Sequence, residues 1–123
     1  MKKFFAPIIF LLFVSCSQPT EEIPGNILSV EQMTAIMVDI QLIEGGVVIM
    51  KYNKDKDHNE ILDYYRSLYQ AHQINKPLFD KSLKYYCERP DLFVQIYDGV
   101  IIQLSEIQAE VENKAESEKK ESN

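Results

Sequence analysis

The sequence predicts an all-α protein: a small four-helix domain behind a cleaved lipoprotein signal peptide and a short linker. Three observations predict it. From Met33 onward, apolar residues recur at spacings of three and four. Helix-start signals at Ser29, Asp57, Asn75 and Arg89-Pro90 divide these runs. No stretch of alternating β-branched residues competes with them. The 123 residues suit one domain, and 46 % hydrophobic with 26 % charged residues is close to the globular average, which argues against wholesale disorder. With 13 scattered basic residues and a net charge of −6, the chain lacks the basic footprint of a nucleic-acid binder. Two cysteines cannot by themselves build a disulfide scaffold or a four-ligand zinc site.

Residues 1–15 read as a signal peptide. Lys2 and Lys3 form a basic start, and Phe4 to Val14 is an apolar run interrupted only by Pro7. Such a run falls short of the roughly 20 residues a membrane-spanning helix needs. It ends at Ser15-Cys16, which resembles the lipobox of bacterial lipoproteins, with Phe13 where Leu is usual. That resemblance implies that Cys16 is lipidated and becomes the new N-terminus, anchoring the chain at the cell envelope, with the outer membrane or a periplasmic face expected. Anchoring of this kind needs more than one acyl chain. Removing residues 1–15 takes away Lys2 and Lys3 and shifts the net charge from −6 to −8. Residues 16–28 are expected to form the lipidated start and a linker containing Pro19, Pro24 and Gly25.

The helical domain is expected over 29–111. Ser29 and Gln32 form a capping box, with Leu28 and Met33 placed as a hydrophobic staple. Met33, Ile36, Met37, Ile40, Ile43 and Val47 then trace the inner face of helix 1, and Gly45-Gly46 is its weak point. Tyr52 to Asn59 reads as a polar connection, with helix 2 opening at Asp57. Ile61, Leu62, Tyr65, Leu68, Tyr69 and His72 trace its inner face. Asn75 or Lys76 caps helix 3, whose face carries Phe79, Ser82, Leu83 and Tyr86. Pro90-Asp91 starts helix 4, with Phe93, Ile96, Tyr97, Val100, Leu104, Ile107 and Val111 as its inner stripe. Residues 112–123 form a charged tail, expected to extend helix 4 or fray. Helices 2, 3 and 4 are expected to pack as neighbours because their connections are short.

No residue set carries catalytic or metal-binding logic. Asn53, Asp55, Asp57 and Asn59 alternate like calcium ligands but lack the glycine and glutamate such a loop requires. His58, His72 and Cys87 are not spaced as local ligands; His72 is expected to cap its helix and Cys87 to pack. Asp39 and Glu44 read as solvated. The tyrosines stand out: Tyr64, Tyr65, Tyr69, Tyr85 and Tyr86 suit either a core rim or a partner-binding face.

The first helix carries Met37-Val38-Asp39-Ile40 and then Leu42-Ile43-Glu44, with Pro24 ahead of it. Tyr69-Gln70-Ala71-His72, Phe79-Asp80-Lys81-Ser82-Leu83-Lys84-Tyr85-Tyr86 and Ile96-Tyr97-Asp98 follow in order. In this the chain resembles a family of short Gram-negative lipoproteins, domain of unknown function 4296, over about Pro24 to Leu104. Gly45-Gly46 stands where that family is expected to hold alanine-like residues. The resemblance implies a location and a fold but no activity. The expectation is therefore a non-enzymatic protein-interaction module without cofactor or metal, tethered to the membrane through lipid on Cys16 and facing an unknown envelope protein. The alternative is a helical carrier of a small apolar or lipidic ligand.

Overall fold

The computed structural model describes the backbone of residues 22–49 and 54–121 and the side chains of residues 22–46 and 58–121. The signal peptide, Cys16, most of the linker and the start of the polar connection lie outside the described residues. Every regular element among the described residues is a helix: α1 (Val30–Ile49), α2 (Lys54–Ala71), α3 (Lys76–Cys87) and α4 (Pro90–Glu121).

Helix α1 starts where the capping box demands. The Ser29 N–H donates to Gln32 Oε1 at 2.9 Å, and the Gln32 N–H donates back to Ser29 Oγ at 3.2 Å. The staple residues Leu28 and Met33 are both buried. Thr34, Ile36, Val38 and Ile40 are buried too, so burial covers more than half of the helix circumference. That makes α1 the central element, with its most extensive packing against α4 and a smaller seam against α2. The helix runs through Gly45-Gly46 to Ile49, and, its own backbone and chain neighbours aside, no atom of the described residues lies within 4 Å of a Cβ placed at either glycine.

The close helix approach occurs elsewhere, at Gly99 of α4. A Cβ there would stand 2.8 Å from Thr34 Cγ2, well inside van der Waals contact. Thr34 has little room to yield, because it is β-branched and its hydroxyl donates to the Val30 carbonyl at 2.8 Å.

Helix α2 begins at Lys54, earlier than Asp57, so the polar run 54–59 is helical backbone and not a connecting loop. It ends in a Schellman motif. The Ile74 N–H donates to the Tyr69 carbonyl at 2.9 Å and the Gln73 N–H to the Gln70 carbonyl at 3.0 Å, with Gln73 left-handed at φ 54°. His72 is the C-cap. Asn75 then caps α3, its side-chain oxygen accepting from the Leu78 N–H at 2.9 Å, with Pro77 in the first turn. Helix α3 packs on α4 and meets α2 through the rings of Tyr69 and Phe79, 6.0 Å apart. Helices α3 and α4 are neighbours as expected, whereas α2 rests chiefly on α1.

The inner stripe of α4 is Leu92, Ile96 and Val100, flanked by half-buried Phe93, Leu104 and Ile107. Tyr97 and Val111, expected inside, are exposed. The charged tail is helical to Glu121 and exposed.

Candidate functional site

The end of the expected linker is part of the domain. Leu28 is buried, and α3 holds both of its backbone groups. Its N–H donates to Ser82 Oγ at 2.9 Å, and its carbonyl accepts from the Tyr86 hydroxyl at 2.6 Å. Ser82 and Tyr86 are four apart on α3 and fully buried, so one helix face presents an acceptor and a donor to one residue. Left unpaired, each buried backbone group would cost roughly 1–3 kcal/mol. Burial pushes the Tyr86 hydroxyl up to about 12, with Tyr85 and Glu31 adding to the shift.

A polar seam joins α1 to α2. His72 Nε2 and Asp39 Oδ2 lie 2.7 Å apart, and the Tyr65 hydroxyl donates to Glu44 Oε1 at 3.2 Å. Both acids, read from sequence as solvated, therefore reach the neighbouring helix. Burial first, and then the Glu44 carboxylate, push the Tyr65 hydroxyl above its ordinary range. Each pair is partly exposed and contributes at most about 1 kcal/mol, so the seam orients α2 more than it stabilises it. An open cleft of about 460 Å³ lies beside this seam, bordered by Asn26, Gln32, His72, Gln73, Ile27 and Ile74. Its polar border does not suit an apolar ligand.

The tyrosines singled out from sequence are mostly engaged within the domain. Tyr86 is core, and its hydroxyl is committed to Leu28, so it is not a partner-binding residue. Tyr85 is half-buried, edge-on to Tyr86 at 5.3 Å, with the Arg89 guanidinium 3.8 Å over its ring. Tyr69 is half-buried between Tyr65 and Phe79. Tyr64 alone of the five is exposed, its hydroxyl donating to Glu60 at 3.0 Å. Cys87, expected to pack, is exposed, because it follows Tyr86 on α3 and turns about 100° away from the core. His58 is also exposed. No group of three or more His, Cys, Asp or Glu among the described residues could hold a metal ion.

Among the described residues, Leu42 on α1 and Leu62 and Tyr64 on α2 leave single apolar side chains exposed, and the longest run of open apolar surface lies on α4. Val94, Tyr97, Ile101 and Ile102 are 56, 47, 59 and 58 % exposed. Val94, Tyr97 and Ile101 step by three and four and so form one line, with Ile102 beside it. The Tyr97 ring meets the half-buried Phe93 ring at 5.0 Å, which joins this line to the edge of the core. Periodicity places Tyr97 on the inner stripe and gives Val94, Ile101 and Ile102 no position. No helix among the described residues is long and apolar enough to cross a membrane.

A four-helix domain with a committed core and an open apolar strip along α4 defines a small all-α protein. The chain belongs to the family described as domain of unknown function (DUF4296), whose model matches residues 24–110. The match begins at Pro24, ahead of the clamped Leu28, and ends near the point where α4 leaves the core. No curated protein and no solved structure matches the chain.

Proposed function

We propose that this protein is a lipid-anchored lipoprotein of the cell envelope that works as a non-enzymatic interaction module through the outward face of α4. The observation that carries the reading is the line of Val94, Tyr97 and Ile101, with Ile102 beside it, on a helix whose opposite face is fully used by the core. A partner covering the exposed half of each such side chain gains roughly 1 kcal/mol per residue. The anchor rests on the order of basic start, apolar run and Cys16 in the sequence.

The test pairs two variants. Tyr97→Ser with Ile101→Ser should abolish recovery of a defined partner from membranes while leaving thermal stability unchanged. Equal recovery by this double variant would sink the reading. Cys16→Ser should release the chain from the membrane or leave it unprocessed; a processed Cys16→Ser product still retained there would defeat the anchor. The carrier alternative draws on the wide apolar face of α1, but Met33, Ile36, Val38 and Ile40 already bury that face against protein.

A further inference from the structure

We infer that the segment received by the outward face of α4 is a basic amphipathic helix, apolar along one side and edged by Lys or Arg. This rests on the reading of that face as an interaction surface, and adds the chemistry of the partner. The argument comes from the charge on α4. Asp91 and Asp98 are seven residues apart and Glu106 is eight further on, so the three exposed carboxylates run along one flank of the helix. Ile102 stands among them, with the line of Val94, Tyr97 and Ile101 beside it. From Pro90 to Asn113 the helix has no Lys or Arg; its first is Lys114. An apolar strip with an acidic edge is complementary to an apolar strip with a basic edge.

The same edge argues against the other occupants. A second copy docked face to face and antiparallel would bring like carboxylates together along one side of the seam. An anionic membrane surface would repel them. Exposed carboxylates contribute little affinity individually, but they set orientation and reject like-charged partners.

The full chain, as processed in a Gram-negative host and held in zwitterionic nanodiscs, is labelled at the exposed Cys87 and titrated with two synthetic helical peptides. One is built of Leu and Lys, the other of Leu and Glu in the same pattern, and empty nanodiscs provide the correction for lipid binding. The Leu/Lys peptide should bind at least about tenfold more tightly than the Leu/Glu peptide. Tyr97→Ser with Ile101→Ser should weaken it by about tenfold or more, and Asp98→Lys with Glu106→Lys should invert the preference. Equal binding of both peptides, or a preference unchanged by the charge reversal, overturns the inference. A photo-crosslinker at position 101 separates this outcome from failure of the broader reading. An adduct with a second copy, or with a partner segment that is not basic, rejects the basic helix yet keeps the face as an interface. No adduct at all rejects both.

Discussion

The inward face of α3 and the outward face of α4 each carry a tyrosine, and the two tyrosines have opposite fates. On α3, Ser82 and Tyr86 are fully buried and each polar tip has its partner on Leu28. On α4, Tyr97, Ile101 and Ile102 are about half exposed, with carboxylates as neighbours. The contrast shows that aromatic content does not mark open surface. What matters is whether the apolar body is covered and the polar tip is committed. By that measure the tyrosine-rich helices hold the domain together, and the edge of α4 carries the longest open apolar strip among the described residues, the one proposed for a partner.

The largest way to break this comparison is at Tyr86. Tyr86→Ala should cost about 3–5 kcal/mol by urea unfolding, from lost packing and an unpaired Leu28 carbonyl. Tyr86→Phe keeps the packing and should cost only about 1–3 kcal/mol. The hydroxyl also makes stability depend on pH. Its folded-state value is raised from 10 to about 12, so the unfolded chain ionises first. The contribution is complete below pH 10, declines as pH rises and is gone once pH passes about 12. Tyr86→Phe should flatten that part of an alkaline stability profile. Ser82→Ala strands the Leu28 N–H and should cost about 1–3 kcal/mol.

The helix glycines sharpen the same contrast at smaller scale. Gly99→Ala drives a methyl group into Thr34 and should cost about 1–2 kcal/mol net, the overpacking exceeding the gain in helix propensity. Gly45→Ala meets nothing and should raise stability by about 0.5–1 kcal/mol. Smallest of all, Tyr97→Ser and Ile101→Ser should each stay within about 0.5 kcal/mol of the parent in thermal unfolding. A larger loss would mean that the outward face of α4 supports the fold.

Local signals made much of this architecture legible in the sequence. The capping box at Ser29, the Asn75 cap and Pro90 each set a helix start through bonds within three or four residues, and all three are found. Features that depend on distant partners were not legible. Nothing local pairs Leu28 with Ser82 and Tyr86, separations of 54 and 58 residues. Nor does it pair Asp39 with His72, 33 residues on. Gly45-Gly46 interrupts a helix pattern and so signals a close approach locally, yet the approach uses the single Gly99, whose partner Thr34 lies on another helix. The inner stripe that periodicity predicts for α4 fails at Tyr97 and Val111 for a related reason: the apolar arc is wider than the core it serves, and periodicity does not tell the covered part from the open part.

The most direct measurement is a photo-crosslinking scan in the intact cell envelope. A crosslinker is placed in turn at positions 94, 97, 101 and 102 on α4, and at 64, 69 and 85 on the tyrosine-bearing helices. The expected result is one discrete adduct from the α4 positions and none from the others. Adducts from positions 64, 69 or 85, with α4 silent, would contradict the assignment of the interaction surface to α4.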